Sequence, residues 1–390
     1  MAVRLPLAAV GDYRAAARAI LPRFAFDYLE GGAEDGRTLA RNTLAFQRID
    51  LEPQALVDVA QVDTRASVLG EPLAMPLAVG PTGLNGLYRH RAEEMLAAAA
   101  GRAGVPFVLS TASTSAIASV RAATDGPLWL QLYVQNDRRI AQRLMAQARE
   151  LGFSALLLTV DTPVAGTRDH YRRNGFMLPL RWTPQLLWDV LSHPRWCLQT
   201  GRHGMPQMVN LAACADAQPD LDVQAAAMNQ QMNMKLTWAD LAWVRRHWNG
   251  PVLVKGVCSL ADARRAHAHG ADGVVLSNHG GRQLEDVPSA MELLPEVTDA
   301  LHGRMALLID GGVRRGSDIA KAVALGADAV LLGRAPLYGL AVDGERGVDA
   351  VLAILRRELE ITLRLLGRPR VAALGREALR ATWRERLAKL

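Results

Sequence analysis

A histidine and an arginine stand three residues apart, directly after a short apolar run. That run, residues 273–276, leads into Ser-Asn-His-Gly-Gly-Arg at 277–282. An imidazole at a strand end can exchange a proton near neutral pH, and a guanidinium pairs with a carboxylate through two parallel hydrogen bonds. The types and spacing of His279 and Arg282 therefore indicate acid–base chemistry on a carboxylate-bearing substrate. The alternative is a polar loop that contains a structural histidine.

Two later segments also run from an apolar stretch into glycine and arginine. They read LLIDGGVRRG at 307–316 and AVLLGR at 329–334. Backbone N–H groups of such glycine-rich loops and the start of the following helix can bind a phosphate dianion. Neither segment has the GxGxxG spacing of a dinucleotide-binding loop, so a nicotinamide cofactor is not indicated.

These residues need a scaffold that brings distant strand ends together. Short apolar runs alternate with alanine-rich helical stretches from residue 77 onward, and we predict strands at 77–80, 106–109, 128–133, 155–160, 252–255, 273–277, 306–310 and 328–332. Eight strand–helix units favour an α/β fold of the closed (β/α)8 TIM-barrel type, with a doubly wound sheet as the alternative.

Each predicted strand ends in residues capable of chemistry or close ligand approach. In a barrel these ends form one face, where active sites lie. The residues are, in strand order, Pro81, Thr82 and Gly83; Ser110; Gln131 and Tyr133; Thr159 and Asp161, followed by Arg168; Lys255; Ser277 and His279; Asp310; and Gly333 and Arg334. A structural explanation for eight such ends at once is improbable, so we predict one shared site.

Composition limits the classes of protein and partner. The 390 residues carry a formal charge of +6 with scattered arginines, so we predict one domain over 1–390 that binds no nucleic acid. The three cysteines share no metal-ligand spacing, and no metal site is predicted. No signal peptide and no apolar run long enough to span a bilayer is visible.

One connection is much longer than the others, between the fourth and fifth strands. Its excess, residues 178–217, mixes apolar residues with Trp182, Trp188, Trp196, Arg181, Arg195 and Arg202. Long loops in compact domains are usually functional, and tryptophan with arginine suits a membrane interface. We therefore predict a membrane contact here, with a lid or a subunit contact as alternatives.

The three blocks SNHGGRQLE, DGGVRRGSDI and LLGR, in this order, resemble the FMN-dependent 2-hydroxy-acid dehydrogenases and oxidases. The resemblance covers most of the chain, from about residue 26 to 367. It implies FMN as the cofactor, held by Pro81, Thr82, Gly83, Ser110, Gln131, Thr159, Lys255, Ser277, Asp310, Gly311, Gly312, Arg314, Gly333 and Arg334.

The same resemblance implies roles for six catalytic residues. His279 is expected to be the base, with Asp161 orienting its imidazole. Arg282 and Arg168 are expected to clamp the substrate carboxylate, and Tyr28 and Tyr133 to hydrogen-bond the carboxylate and hydroxyl. Lys255 near the flavin would stabilise the negative charge that appears on reduction.

The run GPTGLNG at 80–86 and the sequence of the long insertion resemble the branch of the family that oxidises mandelate. This implies oxidation of an (S)-2-hydroxy acid to a 2-oxo acid, with electrons passed to a membrane quinone. It also implies a homo-oligomer, a tetramer, bound peripherally to the cytoplasmic face of a bacterial inner membrane. The alternatives are a soluble oxidase that reduces oxygen to peroxide and a non-redox phosphate-binding barrel.

Overall fold

The chain forms a closed barrel of eight parallel strands. A computed structural model describes residues 7–173, 183–212 and 233–388. The barrel strands are β3 Leu77–Val79, β4 Phe107–Ser110, β5 Leu128–Leu132, β6 Ala155–Thr159, β7 Val252–Val257, β8 Gly273–Leu276, β9 Ala306–Asp310 and β10 Ala329–Leu332, and β10 pairs with β3 to close the ring. The predicted (β/α)8 barrel with an insertion between its fourth and fifth strands is confirmed.

Helices connect the strands, and a short hairpin, β1 Ala66–Val68 and β2 Glu71–Leu73, precedes them. The helices are α1 Val10–Ile20, α2 Arg23–Glu30, α3 Arg37–Gln47, α4 Ala92–Arg102, α5 Ile117–Ala122, α6 Arg138–Glu150, α7 Asp169–Arg173, α8 Pro184–Leu191, α9 Pro194–His203, α10 Val209–Ala212, α11 Trp238–His247, α12 Leu260–Ala268, α13 Ala290–Leu301, α14 Gly316–Leu325, α15 Arg334–Leu365 and α16 Trp383–Leu387. Single 3-10 turns lie at Asn85–Leu87, Val371–Ala373 and Arg376–Ala378.

The barrel interior is a packed layer rather than a pore. Alternate strand residues point inward, and Trp129, Leu157, Leu253 and Leu308 belong to one fully buried cluster. The residues between them, such as Leu156, pack outward against the helices. This two-residue alternation buries both faces of every strand, which explains why the strands read as nearly continuous apolar runs.

Two helical segments of the chain are interrupted. Pro22 separates α1 from α2, because it stands at the N-cap of the second helix and cannot continue the first. The last long helix begins at Arg334 and is kinked at Asp343 and Gly344, where the backbone is not helical.

The described part of the insertion docks onto the mouth of the barrel. The indole nitrogen of Trp196 in α9 donates to the carbonyl of Leu87 at 2.8 Å, and its ring meets the Phe24 ring edge-on at 5.5 Å. The backbone N–H of Arg23 donates to the Asp189 carboxylate at 2.7 Å. The insertion is thereby fixed to α2. Arg181 and Trp182, predicted to take part in a membrane contact, lie outside the described residues.

Two glycines allow the halves of the kinked helix Arg334–Leu365 to cross. A Cβ placed on Gly347 would collide with the carbonyl of Gly339, whereas a Cβ on Gly11 in α1 meets nothing within 4 Å. Gly347→Ala should therefore lower the free energy of unfolding by about 1–3 kcal/mol through overpacking. Gly11→Ala, the matched control, should raise it by about 0.5–1 kcal/mol. Urea unfolding measures both, and equal effects would contradict the crossing.

Candidate active site

The predicted site residues come together around one cavity of about 650 Å³ at the carboxyl ends of the strands. All of them except Asp161 and Ser277 line this cavity, and those two lie directly behind it. The lining includes Tyr28, Pro81, Thr82, Gly83, Ser110, Gln131, Tyr133, Thr159, Arg168, Lys255, His279, Arg282, Asp310, Gly311, Gly312, Arg314, Gly333 and Arg334. The barrel thus brings together strand ends that are far apart in the chain.

The imidazole of His279 is oriented by a buried carboxylate. Its Nδ1 lies 3.0 and 3.1 Å from the two oxygens of Asp161. An ionised carboxylate only accepts hydrogen bonds, so Nδ1 carries a proton, and in the neutral imidazole the lone pair is then on Nε2. Burial alone would raise the pKa of Asp161, but the charge and hydrogen bond of His279 hold it below its ordinary value. His279 therefore has the tautomer of a general base.

Unusual backbone conformation places this pair. His279 has φ +57° and is followed by Gly280 and Gly281 at +65° and +72°, a run of left-handed residues. The backbone N–H of His279 donates to Ser277 Oγ at 3.0 Å, which anchors the turn. On the neighbouring strand Gly256 has φ +99°, and a Cβ there would press on the Asp161 carboxylate at 2.5 Å. Gly256 therefore makes room for the histidine's partner.

A buried lysine and aspartate face each other at the base of the cavity. Lys255 Nζ lies 2.9 Å from Asp310 Oδ2 and 3.0 Å from Ser277 Oγ. Burial alone would lower the pKa of Lys255, but the charges of Asp310 and Asp161 raise it above its ordinary value of 10.5. The amine is therefore a fixed positive charge at all physiological pH values.

Two arginines at the cavity wall have no carboxylate partner among the described residues. Arg282 Nη1 donates to the carbonyls of Tyr28 and Gly31 at 2.8 and 3.0 Å. Arg168 makes only long hydrogen bonds, including one of 3.4 Å to the carbonyl of Arg282. Neither appears in the ion pairs of the described chain, so both positive charges remain for an anionic ligand.

Tyr133, at the end of β5, adds a protonated hydroxyl to the cavity. Burial, and then the nearby charge of Asp161, raise the pKa of Tyr133 to about 12. Its phenol therefore keeps its proton throughout the neutral and mildly alkaline range and can act as a hydrogen-bond donor.

The phosphate-type loops at β9 and β10 differ in detail from the sequence-based expectation. The amides of Arg314 and Arg315 both donate to Asp318 Oδ2 at 2.9 Å, and the amide of Gly316 donates to Glu358 Oε2 at 2.9 Å. The start of the helix Gly316–Leu325 is thus capped by the chain's own carboxylates. These three amides are therefore engaged within the protein, and the binding of a dianion by the glycine-rich loops stays a prediction.

Arg334 supports the loops around this end of the cavity. Its Nε donates to the carbonyl of Leu29, and its Nη2 donates to those of Gly31 and Gly280, all at 3.0–3.1 Å. Burial, and then the nearby charge of Arg282, lower the pKa of Arg334 to about 10, which still leaves it charged at neutral pH. It adds a positive charge beside the glycine-rich loops.

The donor set fits FMN, which combines a flat ring, a polyhydroxyl chain and a phosphate. Asp310 Oδ1 is buried and has no hydrogen-bond partner among the described residues, so it can accept a bond from a ligand hydroxyl. Gly311 and Gly312 have φ +86° and +88°, and a Cβ on Gly312 would collide with the backbone of Asn42. Because these two glycines have no side chain, the loop can pack closely against Asn42 at the edge of the cavity. Arg314 and Arg334 supply positive charge there.

Several lining residues were not predicted. Tyr171 and Gln283 contact the arginines, and Met208 reaches the cavity from the insertion. Gln283 belongs to the SNHGGRQLE motif, and Tyr171 lies three residues after Arg168 in the same segment, so both had a positional signal. Nothing in the sequence pattern distinguishes Met208, because the path of the insertion decides its position.

Comparison with known proteins identifies relatives over nearly the whole chain. The family described as FMN-dependent dehydrogenase matches residues 17–381. (S)-mandelate dehydrogenase of Pseudomonas putida is 47% identical over 366 residues, covering 94% of this chain and 92% of that protein. L-lactate dehydrogenase of Chromohalobacter salexigens is 40% identical over 374 residues, covering 96% and 95%.

Solved structures of related proteins also superimpose on nearly the whole chain. The crystal structure of a monotopic membrane protein, (S)-mandelate dehydrogenase, superimposes with a TM-score of 0.93 at 45% identity, covering 96% of this chain and all of that one. A mandelate oxidase variant with (S)-mandelic acid has a TM-score of 0.81 at 33% identity, covering 96% and 98%.

The buried Lys255–Asp310 pair can be tested by a double-mutant cycle in cofactor-free protein. Lys255→Met should cost about 3–5 kcal/mol of unfolding free energy, because it leaves a buried carboxylate without its partner. In an Asp310→Asn background the same change should cost much less. A group with a raised pKa loses its stabilisation only as pH rises through that pKa, so the coupling should stay constant between about pH 6 and 9. Additive costs in urea unfolding would contradict the pairing.

Proposed function

The chain belongs to the FMN-dependent dehydrogenase family, and from that premise we propose that it oxidises an aromatic (S)-2-hydroxy acid to the 2-oxo acid. It is an oxidoreductase that acts on a CH–OH group, and FMN is its cofactor. The finer parts of the proposal are the mandelate-like substrate, the roles of individual residues and a membrane quinone as electron acceptor.

The observation that carries the proposal is the position of one base beside two arginines that form no ion pair within the described ranges. The Nε2 lone pair of His279 and the guanidinium groups of Arg282 and Arg168 belong to one cavity. A 2-hydroxy acid carries a hydroxyl, which the base can deprotonate, next to a carboxylate, which the arginines can bind. The three side chains thus match the two functional groups of the substrate in chemical type.

Each protein group then has a defined task. When bound, FMN would supply the acceptor for the α-hydrogen and the two electrons that leave the α-carbon. His279 takes the hydroxyl proton at Nε2, and Asp161 stabilises the imidazolium that results. Arg282 and Arg168 orient the carboxylate, and Tyr133 donates a hydrogen bond to it or to the hydroxyl.

Several other residues would hold the cofactor. Asp310 Oδ1, which has no hydrogen-bond partner in the described part of the chain, would accept from a hydroxyl of the ribityl chain. Lys255 provides a fixed positive charge that favours the reduced flavin. The glycine-rich loops with Arg314 and Arg334 would receive the phosphate. The remaining contacts are assigned to Pro81, Thr82, Gly83, Ser110, Gln131, Thr159, Gly311, Gly312 and Gly333. Ser277, which lies behind the cavity, would act through its hydrogen bond with Lys255.

An aromatic substrate is favoured by the cavity wall and by the relatives. The rings of Tyr28 and Tyr171 stack at 5.6 Å with an interplanar angle of 28°, and both line the cavity. Because this stacking and the guanidinium groups of Arg282 and Arg168 occupy the ring faces, a substrate ring would pack against the ring edges. The (S)-mandelate dehydrogenase of P. putida is the relative at 47% identity, and mandelate is itself an aromatic 2-hydroxy acid.

Membrane attachment is proposed from a second apolar face on the inserted helices. One side of α8 and α9 packs on the barrel through Leu186, Val190 and Trp196. The other side leaves four large apolar residues exposed, with Trp188 at 75% and Leu198 at 77%; they are Leu187, Trp188, Leu191 and Leu198. We call these four residues the apolar face.

Charge and length also fit a peripheral attachment. Arg195 and Arg202 are exposed beside the apolar face and would meet anionic headgroups, at about 1 kcal/mol each. Within the described ranges no helix is sufficiently long and apolar to cross a bilayer. One structural relative is described as a monotopic membrane protein. A surface position would bring the reduced cofactor near a quinone dissolved in the membrane.

The assignment of the base can be tested with His279→Ala. The rate at which mandelate bleaches the visible flavin absorbance without air should fall about 10²–10⁴-fold, the usual contribution of a general base. FMN should remain bound, because His279 lies on a different loop from the phosphate-type glycines. Bleaching at the native rate would overturn the role of His279. If mandelate and lactate both fail to bleach the unmodified protein, the proposed reaction itself is wrong.

Membrane attachment can be tested with Trp188→Gln combined with Leu191→Gln and Leu198→Gln. This variant should no longer sediment with vesicles that contain anionic lipid, because the apolar surface that enters the headgroup region is gone. Ile361→Gln with Leu365→Gln is the control, since both residues are exposed on another helix. Mandelate-dependent reduction of a soluble dye should persist in both variants.

Two results would count against membrane attachment. Unmodified protein that stays in solution at low salt would favour a lid or a subunit contact for the insertion. Stoichiometric peroxide formation in air, with no reduction of a vesicle-borne quinone, would favour the oxidase alternative.

A further inference from the structure

Tyr171 joins Arg168 and Arg282, the two cavity arginines without a carboxylate partner in the part of the chain that the structure describes. Its phenol oxygen accepts from Arg282 Nη2 at 2.7 Å and from Arg168 Nη1 at 3.4 Å. The Arg168 guanidinium also lies over the Tyr171 ring, with Cζ at 5.5 Å from the ring centroid. A single side chain therefore supplies both an acceptor and an aromatic face to the cations of the cavity.

The two arginines depend on this side chain to different degrees. Arg282 has two further bonds of 2.8 and 3.0 Å to backbone carbonyls, and it lies over the Tyr28 ring. All hydrogen bonds of Arg168 among the described residues are long, at 3.4 Å to the Tyr171 phenol, 3.4 Å to the Arg282 carbonyl and 3.5 Å to Gln283 Oε1. Of these partners, Tyr171 also places its ring under the guanidinium, so Arg168 depends on Tyr171 more than Arg282 does.

The chemistry of a phenol suits this place. Two guanidinium groups at close range repel each other, and a shared oxygen between them offsets part of that repulsion. A carboxylate at the same place would neutralise both arginines and compete with an anionic substrate. A neutral phenol orients them and leaves their charge for the substrate.

We propose that Tyr171 is a positioning residue that aligns Arg168 with Arg282 so that the two can bind a substrate carboxylate together. This inference rests on the proposed function, which supplies the 2-hydroxy acid. It adds a residue that holds Arg168 and Arg282 in position before the substrate binds. Tyr171 also stacks on Tyr28, and Arg282 lies over the Tyr28 ring. The two stacked rings therefore lie between the Arg168 and Arg282 guanidinium groups along the cavity wall.

The test is Tyr171→Phe in the FMN-loaded enzyme, which keeps the ring and removes the oxygen. Phenylacetate, an unreactive carboxylate, is titrated without air and its binding followed by the change in the flavin spectrum. The dissociation constant should rise about 10-fold, as expected for a lost hydrogen bond to a charged group. The KM for mandelate should rise by a similar factor, while kcat changes about 3-fold or less, because the clamp acts on ground and transition states alike.

Two controls separate positioning from a general structural role. Tyr13→Phe removes a phenol oxygen from a buried tyrosine of α1 outside the cavity and should change neither constant. Methyl mandelate lacks the carboxylate, so its kcat/KM should be the same in native enzyme and Tyr171→Phe. An equal loss for ester and acid would overturn the proposal.

A double-mutant cycle identifies the route of the effect. In an Arg168→Met background, Tyr171→Phe should weaken phenylacetate binding by less than it does in the native enzyme, since one of the two cations that the phenol oxygen aligns is gone. Full additivity, or unchanged phenylacetate binding in Tyr171→Phe alone, would refute the role. If no hydroxy acid bleaches the unmodified enzyme, the proposed reaction fails, while the phenylacetate titration still decides whether Tyr171 supports anion binding.

Discussion

The active site depends on three consecutive left-handed residues after β8. His279, Gly280 and Gly281 reverse the chain so that the imidazole and the Arg282 guanidinium both face the cavity. A Cβ on Gly281 would lie 2.6 Å from the backbone nitrogen of Leu39, so the loop closes tightly against α3. The Gly281 carbonyl also accepts from the amide of Ala33 at 2.7 Å. Left-handed backbone at a non-glycine residue is costly, and here the packed surroundings impose it at the residue proposed as the base.

The aspartates around the cavity are paired with basic side chains, whereas the arginines add positive charge that no carboxylate balances among the described residues. Asp161 and Asp310 are each committed, the first to His279 and the second to Lys255. The arginines are not balanced in this way, and among the described residues they bond mainly to carbonyl oxygens and a phenol. Carbonyl oxygens hold a guanidinium in place without neutralising it. The cavity therefore keeps a positive field, which suits both an anionic substrate and a phosphate-bearing cofactor.

Local sequence patterns predicted the barrel and its strand ends, and the resemblance to a known family implied many of the cavity residues. Apolar runs ending in polar or glycine residues mark strand ends, and the fold then brings those ends together, as with Lys255 and Asp310. Sequence reasoning did not predict the capping of the 316–325 helix by Glu358, which comes from a distant helix. The role of Gly256 also escaped it, because the need for space appears only when Asp161 is placed opposite. Contacts made across the fold, rather than along the chain, account for these differences.

The insertion and the catalytic cavity are mechanically connected through α2. Asp189 of α8 accepts from the Arg23 amide at the start of α2, and Trp196 of α9 packs on Phe24 one residue later. The other end of α2 carries Tyr28, whose carbonyl accepts from Arg282, and Leu29, whose carbonyl accepts from Arg334. The helix α2 has only eight residues, so its two ends are held in a fixed relation. It therefore supports both the inserted helices that carry the apolar face and the arginines of the cavity. The insertion, which in the sequence is only an extension between two strands, therefore helps to position Arg282 and Arg334 through α2.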